Sequence, residues 1–118
     1  MKQFTKQIKK GLLELVILKL LNDEDLYGYS LIQKVKEKSN GSLDIKDGTL
    51  YPILYRLEDS DMIKSYWEQI DTTRSKPRKY YKITENGKTT FNEMLHDYLK
   101  ISKGINLILN SEVNDNDL

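Results

Sequence analysis

Leu50, Ile53, Leu54 and Leu57 recur at i, i+3, i+4 and i+7, a complete apolar stripe that predicts an amphipathic helix between Asp47 or Thr49 and Ser60. Pro52 lacks a backbone N–H and so places the start of that helix close by, with Asp47 and Thr49 both suited to cap it. Upstream, residues from Thr5 to Leu21 are apolar almost all round after Gly11, the pattern of a central core helix. A second helix follows from Tyr27 to Ser39, with Leu31, Ile32 and Val35 inward, and the Ser39, Asn40, Gly41 run ends it through Gly41. Beyond Ser60 the period changes. MIKSYWEQI (62–70) and KYYKI (79–83) are rich in strand formers, and the polar DTTRSKPR between them reads as a hairpin loop. Thr84 then caps a long last helix, in which Phe91, Leu95, Tyr98, Ser102, Ile105 and Leu109 repeat at alternating steps of 4 and 3, widened by Met94, Ile101 and Ile108. That helix is expected to end at 110, with a frayed polar tail over 111–118.

The outer side of the third helix raises a question that packing does not answer. Tyr51 and Tyr55 stand one turn apart there, with Thr49, Pro52 and Arg56 around them, where charge is the ordinary choice. The order of elements supplies a use. Three helices, a hairpin with a basic loop and a long helix form a mainly α fold with a small β-hairpin: a winged helix-turn-helix (residues 1–84) plus a C-terminal dimerisation helix (85–110). In such a fold the third helix enters the major groove, the second braces it, and the hairpin reaches an adjacent groove or backbone. A phenol can then donate to a phosphate and lay its ring on sugar or a thymine methyl. Thr49, Tyr51, Pro52 and Tyr55, with Lys46 just before the helix, are therefore the candidate base and backbone contacts.

Charge supports this by its distribution and not by its sum. The formal net charge is only +1, from 19 basic and 18 acidic residues. Yet residues 71–82 hold Arg74, Lys76, Arg78, Lys79 and Lys82 against Asp71 alone, and Lys2, Lys6, Lys9 and Lys10 form a second cluster. Acid collects in NDED (22–25) and in the last residues. Arg74, Lys76, Arg78 and Lys79 are the candidate phosphate contacts of the hairpin. Arg56 could meet DNA or pair with Glu37 or Asp59. Of the adjacent Tyr80 and Tyr81, one is expected in the core and the other at the surface, and Trp67 is expected to pack beside the hairpin.

Other chemistries find little support. The chain has no cysteine and one histidine, His96, so no metal site is expected, and no cofactor either. There is no nucleophile elbow, phosphate loop or pair of carboxylates in a candidate cleft, so an enzyme is not expected. The longest apolar run, Leu12 to Leu21, is broken by Glu14 and Lys19 and is too short to span a bilayer. No export signal is apparent, and a cytoplasmic protein is expected. With 118 residues, one domain is the natural size.

Three stretches in order, LYGYSLI (26–32), GTLYPILYRLE (48–58) and KPRKYYKITENGK (76–88), resemble the PadR family of bacterial transcriptional regulators, in its short subfamily with a single C-terminal helix. The resemblance covers about residues 8 to 110. It implies a homodimeric repressor in which the last helix of each subunit packs on its partner's last helix and on the partner's first helix, around Leu12. Phe91, Leu95, Tyr98, Ile101, Ser102, Ile105, Ile108 and Leu109 would then form the interface. It further implies control of phenolic-acid detoxification or multidrug-export genes, relieved by an aromatic or planar small molecule, with Tyr98 at the ligand pocket. Two positions depart from the family pattern: Asp61 replaces the glycine usual after the third helix, and TTRSKP lacks the glycine usual at the wing tip. As a dimer, the protein would read an inverted repeat with half-site centres about 10 bp apart. Two other classes stay open on the sequence: a winged-helix protein-interaction adaptor, and a small-molecule-binding protein that does not bind DNA.

Overall fold

A computed structural model describes residues 2–68 and 76–116, with side chains described for 11–68 and 76–111. The elements run α1 (Lys2–Asp23), β1 (Leu26–Tyr27), α2 (Gly28–Lys38), α3 (Asp47–Asp59), β2 (Ile63–Trp67), β3 (Lys79–Ile83) and α4 (Glu85–Asn116). The strands form one antiparallel sheet in the order β1-β3-β2. The mainly helical winged helix-turn-helix with a long last helix is thus the observed fold, with one strand more than the pattern predicts. β1 is only two residues long, and it is a strand because Leu26 and Tyr27 pair with Tyr81 and Tyr80 across the sheet. A two-residue segment carries no period of its own.

The core gathers one face from every element. Ile17, Leu18 and Leu21 of α1, Leu31 and Val35 of α2, Leu50, Leu54 and Leu57 of α3, and Ile63 and Tyr81 of the sheet are all essentially sealed from solvent. Alternation along β3 decides the two tyrosines. Tyr81 turns inward and is buried, while Tyr80 turns to the outer face and is half-buried.

Both inner helices end in the same way. The N–H of Gly41 bonds to the Lys36 carbonyl (2.8 Å) and that of Asn40 to Glu37 (3.1 Å); the N–H of Met62 bonds to Leu57 (2.9 Å) and that of Asp61 to Glu58 (3.0 Å). These are paired Schellman bonds, which need a left-handed residue just past the helix. Asn40 (φ 55°), in place of the Gly41 expected to end the helix, and Asp61 (φ 59°) supply it, so Asp61 adopts the conformation that glycine would otherwise take.

The C-terminal turn of α3 is fastened to the start of α4. Thr84 caps α4 by accepting from the Gly87 N–H (2.9 Å), and its hydroxyl lies 2.7 Å from the Asp61 carbonyl and 3.1 Å from that of Met62. Asn86 donates to the carbonyls of Ser60 (3.2 Å) and Asp61 (3.3 Å). Gly87 packs so closely that a Cβ there would stand 2.7 Å from Ile83 Cγ1 and 2.9 Å from the Met62 carbonyl carbon. From this anchor α4 leaves the domain. Phe91 is buried and Met94 and Leu95 are half-buried, after which the helix runs clear of the core and gives the molecule its 67 × 28 × 22 Å outline. The helix continues through Asn116, past the end at 110 expected from the polar composition.

Candidate nucleic-acid interface

The N-terminal half of α3 is presented to solvent. Lys46 is the extended N-cap (φ −110°, ψ 169°), and its carbonyl accepts from the N–H groups of Thr49 and Leu50 (3.0 Å each). Lys46, Asp47, Gly48, Thr49 and Pro52 are all exposed. Pro52 brings no donor to the carbonyl four residues back, so Gly48 lacks the bond a helix would normally supply on this open face. Tyr55 is 58% exposed. Tyr51 behaves differently. It is half-buried against the core, and its hydroxyl fills the notch that Gly28 of α2 leaves open. Arg56 has a third role, an ion pair with Glu14 of α1 at 3.2 Å in place of Glu37 or Asp59. The two are 42 residues apart, a distance no local reading spans.

The sheet stands beside this helix. Buried Tyr81 faces α3, and its hydroxyl is pushed up to about 12, first by burial and then by Glu58, Tyr51 and Tyr55. Ser65 on the same face donates to Glu58 at 3.0 Å. At the wing's root the Glu68 N–H bonds to the Arg78 carbonyl (2.8 Å), prolonging the hairpin beyond its last strand pair, Trp67 with Lys79. Lys76 and Arg78 are exposed, and Lys79 is half-buried with its Nζ 5.8 Å from the Tyr81 ring centroid. Arg74 lies outside the described residues. Lys64 and Lys82 face each other directly across β2 and β3, both exposed, and extend the positive surface. Trp67 is 62% exposed at this edge instead of packed beside the hairpin. Alternation on β2 puts it on the side of Ser65, toward α3, but only the sheet's geometry shows that the core stops short of it.

The outer face of the sheet carries a row of rings. Tyr80 stacks on Tyr66 (centroids 5.7 Å apart, planes at 16°) and meets Tyr27 edge-on (5.4 Å, 62°). Arg78 lies over the Tyr27 ring, 4.8 Å from Cζ to centroid. Tyr66 donates to Asp25 at 2.6 Å, and that bond is the main reason its hydroxyl is pushed up to about 12.

Along α4 the expected interface stripe divides. Phe91 belongs to the core of the domain at 4% exposure, and Leu95 is half-buried. Beyond them Tyr98, Ile101, Ile105, Ile108 and Leu109 are exposed, as are Leu99 and Leu107, while Ser102 and, on α1, Leu12 are half-buried. Tyr98 sits where two grooves meet. One, of about 410 Å³, has an apolar floor from α1, α2 and α4 and a rim of Lys19, Lys34 and Lys38; the other, of about 340 Å³, lies between Leu12 and Ile101. Among the described residues there is no cluster of metal-ligating side chains, and no helix is long and apolar enough to cross a membrane.

Residues 17–93 match the model of the Transcriptional regulator PadR-like family. The chain is 34% identical over 102 residues to an uncharacterised protein of Lysinibacillus sphaericus, covering 86% of this chain and 92% of that one. Among solved structures it is similar to a PadR family transcription regulator from Clostridium difficile, at 32% identity and a TM-score of 0.73, covering 83% of this chain and 98% of that one. It is also similar to Bacillus subtilis PadR in complex with operator DNA, at 30% identity and a TM-score of 0.63, covering 71% of this chain and 46% of that one.

Proposed function

The chain belongs to the PadR-like family of transcriptional regulators, and we propose that it is a dimeric, sequence-specific DNA-binding repressor acting in the cytoplasm. Family members are regulators and not enzymes. The observation that carries the reading is that α3 leaves Thr49, Pro52 and Tyr55 open to solvent while the root of the wing leaves the cations Lys76 and Arg78 exposed. Such a surface offers side chains to base edges and charge to phosphates together. The operator complex of Bacillus subtilis PadR supports the same use of the fold.

In this reading residues 1–84 form the DNA-binding unit, and Lys46, Thr49, Pro52 and Tyr55 face the groove. Tyr51 sets the seating of α3 on α2 and meets DNA with the outer edge of its ring. Arg74, Lys76, Arg78 and Lys79 hold phosphates. The exposed apolar residues of α4, from Tyr98 to Leu109, cover their counterparts on a second copy, since so continuous an apolar strip is unusual on an unpartnered helix. A planar aromatic effector would lodge at Tyr98, where the two grooves meet, and release the DNA by altering the spacing of the two α3 helices. The genes under control would be those of detoxification or export of such compounds.

Selection from a pool of random duplexes tests the proposal. A dimer enriches an inverted repeat with half-site centres about 10 bp apart. Recovery of no common sequence, or of a single unrepeated half-site, contradicts it.

A further inference from the structure

Arg56 and Arg78 carry the same charge and are held in opposite ways. Arg56 is neutralised by Glu14 and ties α3 to α1. Arg78 takes part in none of the ion pairs found among the described residues, which involve Lys19, Lys34, Arg56 and Lys88. Its guanidinium rests instead on the ring of Tyr27. A carboxylate partner would cancel the charge and occupy the donors, whereas an aromatic face fixes the guanidinium and leaves its N–H groups free in their own plane.

The ring is itself supported from behind. Tyr27 is paired by its backbone with Tyr80 through β1 and touches the Tyr80 ring edge-on. Tyr80 is stacked against Tyr66, whose hydroxyl donates to Asp25, two residues before Tyr27. The contacts thus close on themselves, from Asp25 through Tyr66 and Tyr80 to Tyr27. Without this support an exposed arginine just before the first residue of β3 would sample many rotamers and would have to be ordered on each encounter with DNA.

We propose that Tyr27 is a positioning residue for Arg78: its ring, buttressed by Tyr80 and Tyr66, holds the guanidinium unpaired and oriented at the root of the wing for a DNA phosphate. The inference rests on the reading of the wing as a phosphate-binding element. It also gives the two-residue strand β1 a task, since β1 is what brings Tyr27 from the helical layer to the wing.

The test is a double-mutant cycle on the full chain, read by fluorescence anisotropy with a duplex from upstream of its own gene over a salt series. Arg78→Ala should weaken binding and make the dependence on log salt shallower by about one unit. Tyr27→Leu should weaken binding about 2- to 5-fold, the range expected for an exposed cation–π contact. Tyr27→Phe, which keeps the ring, should restore wild-type affinity. In the Arg78→Ala background Tyr27→Leu should have no further effect. Equal weakening by Tyr27→Leu in both backgrounds, or in neither, overturns the proposal while leaving the wing reading intact. An unchanged affinity and salt slope in Arg78→Ala overturns both. Should Tyr27→Leu fail to fold, NMR of the wild type decides: the Arg78 Cδ protons should show an upfield ring-current shift, and their absence from the ring's shielding cone overturns the proposal.

Discussion

The hydroxyl of Tyr51 on α3 occupies the space in which any side chain on Gly28 of α2 would begin, with its ring carbon Cζ 3.0 Å from where a Cβ would stand. Helices α2 and α3 are therefore registered by one ring in one notch. In the middle of a helix an alanine gains about 0.5–1 kcal/mol over glycine, and at Gly28, the first residue of α2, the gain is smaller. Here overpacking should cost about 1–3 kcal/mol and reverse the sign. Urea denaturation should show Gly28→Ala less stable than wild type, and the same change in a Tyr51→Leu background should become neutral or stabilising. A stabilised single variant would contradict the packing.

The splice between α3 and α4 should be as intolerant. Gly87→Ala drives a methyl into the Met62 carbonyl, which is backbone and cannot rotate away, so a loss toward the upper end of about 1–3 kcal/mol is expected. Thr84→Val removes the cap of α4 together with the hydroxyl shared by Asp61 and Met62, with an expected loss of about 1 kcal/mol. Urea midpoints at constant slope are the measure, and two neutral variants would contradict the splice.

Two tyrosines set a stability limit at high pH. Tyr66 is pushed up to about 12 chiefly by its bond to Asp25, and Tyr81 to about 12 chiefly by burial. Both folded values lie above the ordinary 10.0, so the protonated forms favour the folded state. Their contribution is complete below about pH 10 and is lost as pH rises from there through about 12. Urea midpoints should fall over that window. An absorbance titration should show late-ionising phenols among the eight tyrosines, and Asp25→Ala should remove Tyr66 from that late fraction. A late fraction unaltered by Asp25→Ala would contradict the role of the hydrogen bond.

Charge placed on the free part of α4 should separate the subunits. Ile101 and Ile108 are 61% and 73% exposed and lie on one side of the helix. With Ile101→Glu and Ile108→Glu combined, the dimer dissociation constant should rise by about 100-fold or more, because like charges would face each other across the two-fold axis. Sedimentation at micromolar concentration should find dimer for wild type and monomer for the variant. A monomeric wild type would remove the dimer and the pocket together.

Much of this was legible in the residues because it is local. The stripe of Leu50, Ile53, Leu54 and Leu57 fixes α3 and its buried side through a period alone, and Thr84 announces α4 through capping chemistry. What stayed hidden depends on partners far along the chain. Tyr51 lies outside the apolar stripe of α3, and only Gly28, across the helix turn, makes a half-buried place for it. Arg56 finds Glu14 by the packing of α3 on α1. Phe91 fits a heptad stripe, yet contact with α1 takes it into the core, and only the later positions are left exposed. Trp67 has the composition of a packed ring, but the core ends before it, and that edge faces the candidate site.

The most direct measurement is anisotropy of labelled DNA from upstream of the protein's own gene against scrambled DNA, over a salt series, with wild type and Tyr55→Ala. The expected result is tight, salt-steep binding that prefers its own sequence, with affinity reduced about tenfold or more and most of the preference lost in the variant. Weak binding, indifferent both to sequence and to Tyr55, would contradict α3 as the reading helix and the repressor with it.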